Sequence, residues 1–177
     1  MKSLAPFRGR PLLTWAVDAA LESGLRPVSV VLRQTELAAE RVLPQGVDVI
    51  RAPGARFGIA HSLRALVRAY SGWRQVGALI VGLADQPFVG PDAYRRLAAA
   101  YDAGATLAVA TYAGERANPV LLDRSLWDSA ARLQGDVGAR ALMENTEPVE
   151  VDCTDTGRPD DVDTPADLER LAREMEN

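Results

Sequence analysis

The sequence predicts an α/β fold, doubly wound around a mostly parallel sheet, in a single domain spanning residues 1–177. Three observations lead there. Strand-like and helix-like segments alternate through the first hundred residues, the pattern of parallel strands joined by crossover helices. The run Ala78-Leu79-Ile80-Val81-Gly82-Leu83-Ala84 is apolar without alternation, as a strand buried on both faces must be. A chain of 177 residues supplies one substantial core and is short for two.

Each element has its own signal. Pro11 opens a helix whose apolar face is Leu12, Leu13, Ala16, Val17, Ala20 and Leu21, and Gly24 ends it. Val28–Leu32 is a short buried strand. Residues 35–43 are expected to be helical, with Thr35 as N-cap and Pro44 as the stop. Val47–Ile50 is the next strand. The loop from Ala52 to Gly58 then leads into a helix with Ile59, Leu63, Leu66, Val67 and Tyr70 on one side. After the strand that ends at Asp85, a helix runs from Pro91 to Ala103, closed by Gly104. Strands are expected over Thr106–Tyr112, Pro119–Leu122 and Val149–Cys153, with helices near 124–133 and 136–144. Thr164, Pro165 and Asp167 mark the last helix start as N-cap, N1 and a variant of the capping box.

Composition removes several function classes. Twenty basic against twenty-four acidic residues, a net charge of −4, leave no footprint for nucleic acid or an anionic membrane. Cys153 is alone, which excludes an intrachain disulfide, points to a reducing compartment and reads as a buried packing residue. No apolar run approaches a membrane span, and Met1–Arg8 lacks the apolar stretch of a secretory signal, so a cytoplasmic protein is expected. One Cys and one His exclude a Cys/His zinc site. Neither a P-loop, nor G-x-G-x-x-G after a strand, nor G-x-S-x-G is present. His61, alone on its helix, reads as a surface or packing residue.

Four places carry candidate chemistry. Asp85 is the first charge after the most apolar strand, followed at once by Pro87, which cannot continue a central ladder. Ligands of open α/β sheets gather at carboxyl ends of strands, so this carboxylate suits a cation or substrate; an ordinary turn-starting Asp fits the position equally. Asp160, Asp161 and Asp163 crowd before a helix; the helix macrodipole favours carboxylates there but explains three so close together poorly, and a divalent cation such as magnesium would relieve their repulsion. Gly58 and Ser62 offer backbone N–H groups and a hydroxyl at a helix start, with an ordinary helical Ser as the alternative. Asp136 reads as the N-cap of its own helix, and Arg140, one turn in, faces either solvent or a phosphate.

In order along the chain, six segments resemble the molybdenum cofactor cytidylyltransferase family, within the wider MobA-like nucleotidyltransferases. They are Lys2–Pro6 with Gly9–Leu13, Gly58–Leu63, Ala84–Pro87, Asn118–Leu121, Gly135–Arg140 and Asp161–Leu168. Each is weak alone; six at sensible spacing are fairly specific and span nearly the whole chain. The resemblance implies a Rossmann-like sheet of the nucleotide-diphospho-sugar transferase type. It also implies transfer of a nucleotidyl group, CMP favoured, from CTP or GTP to a phosphorylated acceptor such as molybdopterin, with release of pyrophosphate. Asp85 would hold Mg2+ with Asp163 or Asp161, and Lys2 would neutralise the triphosphate. Gly58 and Ser62 would contact the nucleotide, and Asn118-Pro119 would face the acceptor. A molybdoenzyme or its maturation machinery is the further partner implied. The different-class alternative is a non-catalytic nucleotide-binding or cofactor-maturation protein on the same fold.

The chain departs from the family at two points. Ala117-Asn118-Pro119 stands where relatives often carry Gly-His-Pro, which leaves room for another acceptor. The family's first strand and its loop L-A-A-G-x-S-x-R-M-G-x-x-K end on a lysine that matches Lys2, and here only Met1 precedes it. We read this as a start placed too far downstream, or a shortened chain, in preference to a relative without turnover. The corresponding expectation for the sheet is a missing central rung between Val28–Leu32 and Leu79–Ala84.

Overall fold

The computed structural model of the chain describes residues 2–53 and 58–174, so the middle of the loop that precedes Gly58 lies outside the described residues. The chain begins with a single 3-10 turn, Lys2–Leu4, and a small hairpin of β1 (Pro6–Phe7) and β2 (Arg10–Pro11). Arg8 and Gly9 both have positive φ at its tip (48° and 76°), as a tight two-residue hairpin requires. Then follow α1 (Leu12–Glu22), β3 (Val28–Leu32), α2 (Leu37–Glu40), β4 (Val47–Arg51), α3 (Ile59–Tyr70), β5 (Ala78–Val81) and α4 (Pro91–Asp102). The remainder is β6 (Leu107–Tyr112), β7 (Glu115–Asp123), α5 (Trp127–Ala130), β8 (Val149–Asp152) and α6 (Pro165–Glu174).

The expected α/β class holds, with helices on both sides of the sheet. Along β6, the alternation that every strand imposes sends Leu107 and Val109 to one face, against Leu63, Val67 and Tyr70 of α3. Ala108 and Ala110 go to the other, against Ala93, Tyr94 and Leu97 of α4. All six residues of β6 are buried, as a central strand demands. The sheet itself is mixed: β3 pairs with β4 and β6 with β8 in parallel, but β7 runs antiparallel to both β5 and β6. The tight Ala113-Gly114 turn returns the chain directly from β6 into β7 without a crossover helix, which fixes that orientation.

The hydrogen-bonded order falls into two parts, β3-β4 and β5-β7-β6-β8. Between them lies a cavity of about 800 Å³, walled by Val28–Val31 on one side and Ala78–Leu83 on the other, with Leu13 and Val17 of α1 and Leu63 and Leu66 of α3 closing it. Among the described residues no strand fills it, so the sheet shows the expected missing rung.

Several helices are shorter than the sequence suggests. Residues 35–43 yield only the four-residue α2, because the Glu36 carboxylate accepts the Arg33 N–H (2.8 Å) and closes a turn there, which displaces Thr35 as the cap. Residues 124–133 divide into a 3-10 turn, Arg124–Leu126, and α5. The segment expected to be helical over 136–144 forms a 3-10 helix only over Ala139–Glu144, since Gly135 and Asp136 are engaged elsewhere.

Candidate active site

Lys2 is placed by its neighbours. The 3-10 turn closes with the Ala5 N–H donating to the Lys2 carbonyl (2.9 Å), and the Leu12 N–H donates to Ala5 (3.0 Å). Phe7, one strand residue later, is buried with Leu12, Val162 and Leu171. Phe7 against Val162 therefore presses the N-terminal hairpin onto the segment that carries Asp161 and Asp163. That segment is tied in turn to the end of β5, where the Val162 N–H donates to the Asp85 carbonyl (3.0 Å). Gln86, buried beside Asp85, donates through Nε2 to the Pro159 carbonyl (3.1 Å) and to Asp161 Oδ1 (3.0 Å). Sequence reasoning passed over Gln86; a polar side chain between Asp85 and Pro87, just past a buried strand, was the available signal.

These ties converge on one contact. Lys2 Nζ donates to Asp85 Oδ2 and to Asp163 Oδ1, both at 2.7 Å, so the two carboxylate oxygens lie no more than twice that distance apart. Burial pulls the pKa of the Lys2 ammonium down, but its hydrogen bonds to Asp163 and Asp85 outweigh this and the net shift is upward. Asp161 stays on Gln86, apart from the ammonium. Desolvation, reinforced by the charges of Asp85 and Asp163, raises its pKa against the opposing Gln86 hydrogen bond.

Lys2 and Asp85 open onto a second cavity of about 750 Å³ at the carboxyl ends of β3 and β5, lined also by Arg33, Gly58, Ser62 and Asp136. This is where α/β sheets bind ligands. Gly58 has φ 122°, and a Cβ there would lie 2.2 Å from the Gly135 carbonyl oxygen, so only glycine fits. The close approach puts Gly135 and Asp136 over the start of α3. Asp136 Oδ1 accepts the Ile59 N–H (3.2 Å), and the Gly135 carbonyl accepts that of Ala60 (3.3 Å). Asp136 thus caps α3, 77 residues back in the chain, and not its own helix as expected. The His61 N–H is likewise taken, by Gly58 (3.2 Å). With these amides engaged, the polar side chain that this helix start places on both cavities is Ser62.

The register of β7 against β5, Val120 opposite Val81, brings Asn118 to the same end of the sheet as Asp85, where it lines the larger cavity, as Arg140 also does. Pro119 is fully buried within β7, so Asn118 is the member of that pair that reaches the cavity.

Among the described residues, no group of three or more His, Cys, Asp and Glu side chains stands ready for a metal ion. Asp85 and Asp163 nevertheless suit a hard divalent cation, which takes one or two carboxylates and completes its shell with water and phosphate oxygens. They already share a cation, the Lys2 ammonium.

Residues 1–151 match the family model of the MobA-like NTP transferase domain. Purine catabolism protein PucB of Bacillus subtilis is 27% identical over 98% of this chain and 89% of its own length. Nicotine blue oxidoreductase of Paenarthrobacter nicotinovorans is 27% identical over 96% and 87%. Rv0371c of Mycobacterium tuberculosis superposes with a TM-score of 0.80 at 29% identity, covering 97% of this chain and 88% of that one. Its complex with manganese superposes at 0.77 with 28% identity, over 97% and 91%.

Proposed function

This chain belongs to the MobA-like NTP transferase family, a family of nucleotidyltransferases, and we propose that it moves a nucleotidyl group, CMP from CTP, onto a phosphorylated acceptor such as molybdopterin. The observation that carries this reading is the Lys2 ammonium at 2.7 Å from both Asp85 and Asp163, at the strand ends. CTP and molybdopterin follow the cytidylyltransferase resemblance.

In the proposed reaction, an acceptor phosphate oxygen attacks the α-phosphorus, the bond from that phosphorus to the β-bridging oxygen breaks, and pyrophosphate leaves with the electron pair. Negative charge grows on the leaving side, where Lys2 is the cation this chain supplies. Mg2+, held by Asp85 and Asp163, would supply further charge neutralisation for the triphosphate. The manganese bound to Rv0371c supports a divalent cation on this fold. Gln86 holds Asp161, leaving Asp85 and Asp163 as the pair that shares Lys2. Ser62 would contact the nucleotide, and Asn118 would meet the acceptor from the far wall.

The test is pyrophosphate release from CTP with Mg2+ and molybdopterin. Asp85→Asn is expected to lower turnover on the order of 10²-fold or more, the scale of losing one key electrostatic stabiliser. The substitution keeps the volume of a strand-end side chain outside the core, so the fold should survive it. Near-normal turnover in the Asn variant would reduce Asp85 to a turn residue. Nucleotide binding with no turnover would favour the non-catalytic reading.

A further inference from the structure

We propose that Lys2 is a place-holder for the divalent cation: its ammonium keeps Asp85 and Asp163 together until the metal displaces it, and displacement releases it to the triphosphate. The inference rests on the metal site proposed above and adds to it a competition between two cations of this site.

Three observations carry it. Lys2 Nζ lies 2.7 Å from one oxygen of each carboxylate, so a cation bridging the same oxygens has to take its place. The backbone of Lys2 is anchored by the 3-10 turn and by Phe7 against Val162, whereas its side chain is 38% exposed. The ammonium therefore leaves by rotating its four-carbon stem while the loop stays in place. Asp161, the other carboxylate nearby, is held by Gln86 and takes no part in the bridge.

Charge balance gives the exchange its direction. Two carboxylates and one ammonium leave a single negative charge; a divalent cation neutralises the pair fully and frees Lys2 for a polyanion. Metal alone must break two charge-assisted hydrogen bonds, so it binds weakly until a phosphate ligand receives the ammonium. Binding of the metal and of the triphosphate is then coupled through Lys2, and the coupling is reciprocal. Asp163 is 72% exposed, so the competition is a moderate one.

Mn2+ alone is the probe, titrated at pH 7.5 and low ionic strength with electron paramagnetic resonance of the free ion as readout, and far-ultraviolet circular dichroism to check folding. Lys2→Met is expected to bind Mn2+ about 10-fold more tightly than the unaltered protein, within the usual range of coupling between linked sites. Lys2→Arg, which keeps a cation able to fork across both carboxylates, should bind it no more tightly than Lys2 does. A folded Lys2→Met protein with equal or weaker Mn2+ affinity overturns the proposal. Should Lys2→Met fail to fold, Lys2→Arg with tighter Mn2+ binding overturns it and weaker binding upholds it. Binding to the unaltered protein that is lost in Asp85→Asn yet indifferent to Lys2 removes the place-holder alone. Absence of Mn2+ binding in every variant removes the metal site, and the place-holder with it.

Discussion

Asp167 shows how much one carboxylate holds at the edge of this site. It accepts from the backbone N–H groups of Thr164 (2.8 Å) and Asp163 (3.2 Å) and from the Thr164 hydroxyl (2.8 Å), while its own N–H donates back to Thr164 Oγ1 (3.2 Å). The reciprocal capping box read from the sequence is therefore formed, and it fixes the backbone of Asp163 as well as the start of α6. The Thr164 hydroxyl, then its N–H, lower the Asp167 pKa. A folded pKa below the unfolded one, about 3.9, gives a contribution that is complete above that value and is lost as pH falls through the folded pKa. Asp167→Ala should thus lower Tm at pH 7, with the gap to the unaltered protein narrowing below about pH 4. Thr164→Ala should cost about 1 kcal/mol, a Tm decrease on the order of 3 °C. A gap for Asp167→Ala that stayed constant down to pH 2 would contradict the assignment. Local chemistry of this kind is legible in sequence because partners stand three residues apart. Asp85 and Asp163 were legible as candidates from their places at a strand end and in an acidic cluster, and Lys2 only through the resemblance. Their meeting depends on Phe7 packing against Val162, 155 positions apart in sequence, which no local pattern announces.

At the scale of elements, β6 and β5 differ in how their amides are used. β6 is paired on both edges, with β7 and β8; β5 is paired with β7 alone and turns its other edge to the cavity, as β3 does opposite β4. Hydrogen exchange should accordingly protect β6 throughout but protect β5 and β3 in alternation, the cavity-facing amides exchanging faster. Uniformly slow exchange along β5 and β3 would mean that both edges are bonded in solution. The helices α1, α3 and α4 were legible because their apolar spacing repeats over eleven or twelve residues. The β1–β2 hairpin went unseen, being two residues a strand. The 136–144 segment failed as a helix because Gly135 and Asp136 serve the start of α3, a tertiary demand that overrides local capping preference.

For the whole molecule, topology explains why the site lies where it does. The carboxyl ends of β3 and β5 open together onto one cavity, and the long return from β8 to α6 brings Asp163 across to Asp85 and Lys2. The α/β class was legible from alternation in the first hundred residues, and the missing rung from the segments that resemble the family. The antiparallel course of β7 was not, because a tight turn and a crossover leave equally apolar strands behind them. Asp85 and Asp163 are proposed to make a metal-dependent nucleotide site at these strand ends. Thermal unfolding with CTP and Mg2+ tests it most directly, since a ligand of the native state at 100 times its Kd adds about 2.7 kcal/mol, roughly 5–10 °C for a chain of this size. That rise is expected for the unaltered protein, a much smaller one without Mg2+, and little or none in Asp85→Asn. An equal rise in Asp85→Asn, or no rise with any nucleoside triphosphate, would contradict it.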